Sequence, residues 1–183
     1  MLRKTIKNIA LLDLQNFTAE ALREIKKIES CAMLLIPKNA SDEWKNAYAK
    51  ITIRNVASII EVSYSKYSVL NGMVTLNDKN VSDDCLYIVN GIVILETVEK
   101  IPDLCVNGLL LKREKSRYEM TRMNGRSVEV EDNVVIKPYP NTIEIDGDTV
   151  RSFDYNTLVA AGNNVDIVDD VTEQMLSDKK ITF

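Results

Sequence analysis

Acidic side chains supply the main catalytic chemistry that the residue types of this chain allow. The 183-residue sequence has no histidine, so Ser-His-Asp or Cys-His catalysis and histidine-ligated zinc cannot be built from this chain alone. Suitably spaced carboxylate pairs can act as general acid and general base in polysaccharide cleavage. Four pairs occur: Asp83-Asp84, Glu129 with Glu131, Asp146 with Asp148, and Asp169-Asp170.

The same pairs suit solvated turns and helix N-termini, and we favour this structural interpretation. Asp83-Asp84 precedes a strand pattern, and Asp169-Asp170 precedes a helix pattern, where negative charge complements the helix dipole. Asp146-Gly147-Asp148 is similar to part of a calcium loop, but it lacks the later acidic ligands of an EF-hand and the repeat of calcium β-rolls. We therefore expect a turn there, no catalytic or metal-binding residues, and no enzyme activity.

The cysteines and tyrosines point to packing rather than to cofactors. Cys31, Cys85 and Cys105 have no CxxC spacing, and their apolar neighbours predict buried thiols in a reducing compartment. No GxGxxG or GxxxxGK[ST] pattern occurs, so no nucleotide cofactor is expected. Six tyrosines either form an amphipathic recognition surface or cover the edges of structural coils, and we favour the second alternative. They are Tyr64, Tyr67, Tyr87, Tyr118, Tyr139 and Tyr155.

Composition predicts a folded protein without a nucleic-acid or membrane partner. Hydrophobic residues make up 45% and charged residues 27% of the chain, and the net charge is -4. The N-terminal apolar run is interrupted by Asp13 and has no cleavage site, and no uncharged stretch is long enough for a membrane helix. We therefore expect a cytoplasmic protein. Glu114 and Glu119 interrupt a basic segment, which favours a solvated mixed-charge face. Its basic residues are Lys112, Arg113, Lys115, Arg117, Arg122 and Arg126.

A periodic Asn-Gly step is the strongest architectural signal. Four of the six glycines follow asparagine, at spacings of 19, 17 and 17 residues, and short aliphatic or β-branched runs follow most steps. A further step of 17 residues reaches Asn141, which opens NTIEIDG without the glycine, so we expect the repeat to continue there. The four steps are Asn71-Gly72, Asn90-Gly91, Asn107-Gly108 and Asn124-Gly125.

Two architectures compete for these steps. Asn-Gly is the strongest two-residue signal for a type I′ hairpin, which would give a meander. A solenoid, in contrast, must return to the same corner after each turn, which explains near-constant spacing. At such a corner glycine permits the bend, and stacked asparagine side chains can hydrogen-bond between coils. We favour the solenoid and leave the hairpin stack open.

The first third of the chain shows alternating strand and helix patterns. Strands are predicted at residues 8–14, 31–36 and 55–62, with starts at Asn8, Ser30 and Asn55. FTAEALREIKKI follows the first strand and is predicted to be helical, with Thr18 as N-cap and Leu22, Ile25 and Ile28 on one face. A second helix is predicted from Ser41, with an apolar face of Trp44, Ala47, Tyr48 and Ile51.

These strand–helix coils resemble leucine-rich repeats, whose units run LxxLxLxxN. Three segments match, the second with Ser65 in place of the asparagine and the third with its asparagine one residue early. The resemblance covers roughly the first third, and it implies parallel strands and a surface that binds other proteins. Shorter downstream coils without helices depart from the horseshoe of that family. The matches are Cys31, Leu34, Ile36 and Asn39; Ala57, Ile60, Val62 and Ser65; and Ile9, Leu12, Leu14 and Asn16.

The C-terminal segment from Asn164 repeats the plan of the first strand–helix unit and ends in the apolar Thr182-Phe183. Because a solenoid needs a polar cap, this stop predicts truncation or an end that another subunit covers. We therefore expect one α/β solenoid domain. Its parts are leucine-rich-repeat-like coils at 1–65, helix-poor parallel β-coils at 66–162, and a last strand–helix coil at 163–183.

The predicted function is that of a non-enzymatic scaffold that binds a protein partner or its own copies, forming a homo-oligomer. The alternative is a β-solenoid that binds or cleaves carbohydrate with its acidic pairs and tyrosines. The two hypotheses make different structural demands, because the second requires these side chains to line one groove.

Overall fold

A computed structural model describes residues 4–63 and 66–183 of the chain. Two predictions fall outside the described residues: Tyr64 as a surface tyrosine and Ser65 as the end of a repeat motif. The chain divides into two compact units, residues 1–65 and 66–183. Every pairing between named strands in the described ranges is parallel, so the protein is a parallel, β-rich fold with short helices.

The first unit is a three-stranded parallel sheet with two short helices in its connections. The sheet has the order β1-β2-β3. Its strands are β1 (Lys4–Asp13), β2 (Ile25–Pro37) and β3 (Thr52–Val62), and its helices are α1 (Ala19–Arg23) and α2 (Asp42–Tyr48). Leu14, Leu22, Ile28, Leu34 and Trp44 belong to the buried core between sheet and helices.

Both predicted helix starts of this unit are confirmed. The side chain of Thr18 accepts a hydrogen bond from the backbone N–H of Ala21, and Ser41 accepts one from Trp44, each at 3.2 Å. The predicted length of the first helix is wrong, because Ile25 and Ile28 lie in β2. Parallel pairing with β1 and burial of both β-branched side chains outweigh their helical spacing.

Asn8, Ser30 and Asn55 lie inside the strands rather than at their starts. Their φ angles are 58°, 54° and 51°, in the left-handed region that asparagine tolerates better than most residues. The flanking pairs Ile9↔Cys31 and Cys31↔Val56 place the three residues in one column across the sheet. Each strand of the first unit therefore bends at the same place, and parallel pairing continues on both sides of the bend.

The strand register differs by one residue from the alignment that the repeat motif gave to β3. Leu34 pairs with Leu12 on one side, as the motif predicts, and with Ile59 on the other. The motif placed Ile60 at that position, but the register pairs Ile60 with Leu35. The side chains of β3 that occupy the motif positions are thus shifted relative to those of β2.

The second unit contains a four-stranded parallel sheet in which the Asn-Gly steps stack in register. Its order is β4-β5-β6-β7, and Asn71, Asn90, Asn107 and Asn124 occupy one column. Each step lies in the middle of a strand, so the hairpin alternative is wrong. The strands are β4 (Lys66–Asn77), β5 (Cys85–Glu96), β6 (Asp103–Arg113) and β7 (Glu119–Val130).

This sheet buries side chains on both faces. On one face, Val89, Val93, Leu104, Val106 and Leu110 form a core with Val81 and Tyr118 of the connecting loops. On the other face, a second core packs the later half of the strands against the C-terminal segment; it contains Ile92, Ile94, Leu109, Leu111, Val130, Ala160, Ile136 and Leu158. Burial on both faces explains the continuous apolar runs around the Asn-Gly steps.

The C-terminal segment forms a separate pair of two-stranded sheets. β10 pairs with β8, and β11 pairs with β9. Thr182 forms an isolated parallel bridge with Leu158. The elements are β8 (Val135–Tyr139), β9 (Ile143–Ile145), α3 (Gly147–Ser152), β10 (Thr157–Ala161), β11 (Val165–Ile167) and α4 (Glu173–Lys179).

Two predictions for this segment need correction. The 17-residue step does not continue to Asn141, because in the described sheet β7 pairs only with β6 and no strand near Asn141 joins it. Residues 66–162 are not free of helix, because α3 forms where Asp146 caps its N-terminus and Val150 is buried. The last strand–helix unit does occur, as β11 and α4, but β11 pairs with β9 instead of extending the Asn-Gly stack.

No helix within the described ranges is long and apolar enough to cross a membrane.

Candidate interaction surface

The Asn-Gly column is a ladder of side-chain and backbone contacts. The side-chain amide of Asn90 donates to the Oδ1 atom of Asn71 at 2.9 Å, and that of Asn107 donates to Asn90 at 2.8 Å. These bonds confirm the predicted hydrogen bonding between stacked asparagines. Each donor amide belongs to the later strand and points to the preceding one, so the ladder has a direction.

The glycines beside the ladder leave no room for a side chain. Gly91, Gly108 and Gly125 have φ angles of 136°, 140° and 144°, which disfavour other residues. A Cβ atom on these glycines would lie 2.0, 2.1 and 1.9 Å from the carbonyl oxygen of the preceding glycine in the column. Gly72, at φ 83°, has no described atom within 4 Å of this position. Close backbone stacking therefore requires the three later glycines.

Acidic residues in the loops bind the next loop instead of forming a catalytic pair. Asp78, after β4, accepts hydrogen bonds from the backbone N–H groups of Val98, Glu99 and Lys100 at 3.0–3.3 Å. These bonds, with the Lys100 amide first, hold the pKa of Asp78 below its usual range. Asp83 accepts from the N–H of Ile101. Both carboxylates therefore fix one loop to its successor.

Most residues of the other acidic pairs also have structural partners. Asp146 caps α3 through the N–H of Thr149 at 2.7 Å, with its pKa held low by Thr149, and Asp148 pairs with Arg151. Asp170 accepts from the N–H of Gly147 at 3.1 Å. Residues 146–148 thus form the capped start of α3, where only a turn was predicted. The remaining contacts are Asp84 with Ser82 and Lys66, and Glu129 with Lys112.

The described residues contain no group of three or more acidic, cysteine or histidine side chains that could hold a metal ion. The thiols of Cys31, Cys85 and Cys105 are free and buried, as predicted. Burial raises the pKa of Cys85 and of Cys105, so neither thiol is poised as a nucleophile.

The tyrosines are distributed over several environments. Tyr87 is buried, and its hydroxyl accepts the N–H of Ser82 at 2.9 Å. Tyr118 and Tyr139 are partly buried in two different cores. Tyr67 is exposed on β4, and Tyr155 is exposed with the Lys180 ammonium 5.3 Å from its ring centre. The described tyrosines do not form one recognition surface.

The basic segment carries several ion pairs. Lys115 lies 3.0 Å from Asp132, and Arg113 lies 3.5 Å from Glu96. The hydrogen bond to Glu129 raises the pKa of Lys112, and the bond to Asp132 raises that of Lys115. These contacts fit the mixed-charge face that the interspersed glutamates indicate.

A cleft runs between the Asn-Gly column and the C-terminal segment. It has a volume of about 630 Å³ and continues into a second depression of about 450 Å³. Asn90, Asn107, Arg126 and Asn163 supply polar side chains to the first part, over a floor of glycine backbone. None of the residues of the four acidic pairs and none of the described tyrosines lines either part.

β4 and β7 are the outer strands of the four-stranded sheet, and each has one strand partner within it. Val89 and Val106 of the inner strands are fully buried, whereas Leu70 on β4 and Met123 on β7, in the same column, are half-buried. β4 also exposes Tyr67, Val69 and Met73 at 36%, 42% and 43% of their surface. β7 is exposed along most of its length. The sequence does not mark these outer strands, because their position depends on where the column of paired strands stops.

Comparison of the chain with protein-family models, with curated proteins and with solved structures found no match. The geometry of the chain itself therefore carries the functional argument.

Proposed function

We propose that this protein is a non-catalytic scaffold that binds protein, in the first place its own copies, through the exposed edge strands of the Asn-Gly sheet. The observation that carries the proposal is the set of apolar side chains that the outer strands β4 and β7 expose, namely Tyr67, Val69, Met73 and Val128. An outer strand presents backbone N–H and C=O groups that can pair with another strand, and exposed apolar side chains favour such pairing.

The scaffold proposal includes a solenoid architecture for the Asn-Gly region. Support comes from parallel strands in register, from the asparagine ladder and from loops that bind their successors through Asp78 and Asp83. Stacked coils of this kind present long parallel surfaces suited to protein binding. The leucine-rich-repeat-like motif of the first third is consistent with the same role.

The absence of a catalytic arrangement supports a binding role. Within the described ranges, most residues of the acidic pairs bind a neighbouring loop, cap a helix or form an ion pair, and none of them lines the cleft. We also propose that the scaffold works in the cytoplasm, since its three free thiols suit a reducing compartment.

Light scattering over a concentration series tests the proposal. We expect wild-type protein to exceed the monomer mass and Val128→Lys on β7 to weaken association by about tenfold or more, because it places a charge on the edge strand. Val98→Lys is the matched control, since Val98 is also exposed but lies in a loop. A wild-type protein that stays monomeric at high concentration would contradict self-association.

A second candidate function is carbohydrate binding in the cleft, without cleavage. The polar lining favours it, because the amides of Asn90, Asn107 and Asn163 and the guanidinium of Arg126 can hydrogen-bond to sugar hydroxyls. Glycan-array binding that Asn163→Ala reduces would support this function. If no glycan binds and the wild-type protein self-associates, carbohydrate binding is contradicted and protein binding is the remaining candidate function.

A further inference from the structure

We propose that the second depression of the cleft binds a short apolar peptide with free ends, its carboxylate at Arg126 and its ammonium group at Asp166. The depression has a volume of about 450 Å³, and the residues that line it all belong to the second unit. Small-ligand sites in proteins have volumes of this order. The inference does not depend on self-association, because its ligand is a small peptide and not a second copy of the chain.

One wall of the depression is apolar. Leu109 and Leu111 of β6 and Leu158 of β10 line it, together with Val128 and Phe183. Leu109 and Leu111 are only 8% and 1% exposed, because the C-terminal segment packs against them. Val128 lies beside Leu111 in the strand register but is 36% exposed, and Phe183 is 49% exposed. Apolar side chains of a ligand in the depression would cover both residues, which favours binding.

Arg126 supplies an uncompensated positive charge. In the register of the sheet it follows Ile92 and Leu109, which are buried. Its own side chain is exposed and lines both parts of the cleft. Within the described ranges, this side chain has no ion pair and no hydrogen bond. Because a guanidinium group donates two parallel hydrogen bonds to a carboxylate, a carboxylate is the ligand group that fits here.

Asp166 supplies the opposite charge. It is exposed and lines the second depression but not the first part of the cleft. Its side chain forms no ion pair with Arg126 or with any other described residue. A ligand that carries both a carboxylate and an ammonium group satisfies both charges, whereas a simple aliphatic acid would leave Asp166 unpaired.

Amide groups in the same depression favour a peptide over other ligands with two charges. The backbone N–H of Val159 donates to the carbonyl oxygen of Thr182 at 2.8 Å, on the edge of β10 away from β8. Alternate residues of a strand direct their backbone groups to the same side, so the N–H and C=O groups of Ala161 also face this side. Asn163 and Asn164 add side-chain amides. Peptide groups supply both donors and acceptors to match these partners.

Isothermal titration calorimetry with four peptides tests the class of ligand. Trileucine is the probe, N-acetyl-trileucine lacks the ammonium group, and trileucine amide lacks the carboxylate. Triglycine keeps both charges and the backbone but has no apolar side chains. We expect trileucine to bind most tightly, the two blocked peptides about threefold or more weaker, and triglycine about tenfold or more weaker.

Two variants locate the charged ends of the peptide. Arg126→Gln should weaken trileucine binding by about tenfold or more, and Asp166→Asn by about threefold or more. If the contacts are direct, Arg126→Gln should not change the affinity for trileucine amide, and Asp166→Asn should not change that for N-acetyl-trileucine, because the partner group is already absent. A purely structural effect would weaken all of these peptides alike.

Arg117→Gln and Asp169→Asn are the matched controls. They remove the same charges from exposed residues that do not line the cleft, so both variants should bind trileucine like wild type. All four substitutions are at exposed positions, and melting temperatures close to that of wild type would show that each variant is folded.

Three results would overturn the inference. They are no binding of trileucine to the wild-type protein, binding that neither Arg126→Gln nor Asp166→Asn weakens, and N-acetyl-trileucine or trileucine amide binding as tightly as trileucine. Each of these results leaves the proposed function intact, because light scattering measures self-association separately.

Discussion

At the scale of single residues, the column glycines serve two purposes that differ in cost. All four adopt positive φ, but only three face a carbonyl of the preceding strand. Glycine at all four positions avoids the backbone strain that positive φ causes in other residues. At the three later positions, the missing side chain also permits close backbone stacking.

Alanine substitutions separate these purposes. Gly72→Ala should destabilise the protein by about 1–3 kcal/mol, the strain of a non-glycine residue at positive φ. Gly108→Ala adds a backbone clash at 2.1 Å and should cost more than this or prevent folding. Denaturant unfolding of both variants measures the difference in the free energy of unfolding. Equal losses of stability would contradict the close backbone contact at Gly108.

Asp78 gives the stability of the loops a pH dependence. Because backbone N–H groups lower its pKa in the folded state, its contribution is present above the pKa of an unfolded aspartate, about 4, and is lost as the pH falls through the folded value. Asp78→Asn should therefore melt at a lower temperature than wild type near pH 7, and the gap should narrow below about pH 4. Melting curves from pH 7 to pH 3 measure the gap. A difference in melting temperature that stays constant from pH 7 to pH 3 would contradict this role of Asp78.

At the scale of elements, short helices in the first unit depend on their caps. α2 spans only Asp42–Tyr48, and Ser41 satisfies the N–H of Trp44 at its start. Ser41→Ala should destabilise the protein by about 1 kcal/mol, whereas Ser41→Asp should retain most of the stability because aspartate also caps. Chemical denaturation compares the two, and an aspartate variant as unstable as the alanine variant would argue against the cap.

Sequence patterns predicted where helices start better than where helices end and strands begin. Thr18 and Ser41 marked helix starts correctly because capping is a local interaction. Ile25 and Ile28 were wrongly predicted as helical, because their pairing with β1 is a long-range contact that sequence spacing does not reveal. Asn8 and Asn55 marked real bends, but a left-handed residue can interrupt a strand as well as begin one.

The site itself was predictable in part. Regular Asn-Gly spacing anticipated the ladder because every strand repeats the same bend. The position of β7 as an outer strand was not predictable, since the pattern alone suggested a further coil at Asn141. Packing of Ala160 and Leu158 against Ile92 and Leu109 is a face-to-face contact between segments of different repeat length, and periodicity gives no sign of it.

At the scale of the whole molecule, the four-stranded sheet of the second unit ends in two different outer strands, β4 and β7. β5 and β6 have strand partners on both sides, whereas in the described sheet β4 and β7 each have one. Backbone amides of β5 and β6 should therefore exchange slowest with solvent, and those of the outer strands fastest in the monomer.

Hydrogen exchange over a concentration series tests this account most directly. As copies associate, amides in residues 119–130 of β7 and 66–77 of β4 should both become protected, because each edge gains a strand partner. Exchange in α4, residues 173–179, should stay constant and serves as the internal reference. Rising mass with unchanged exchange at β4 and β7 would place the contact elsewhere and contradict the account.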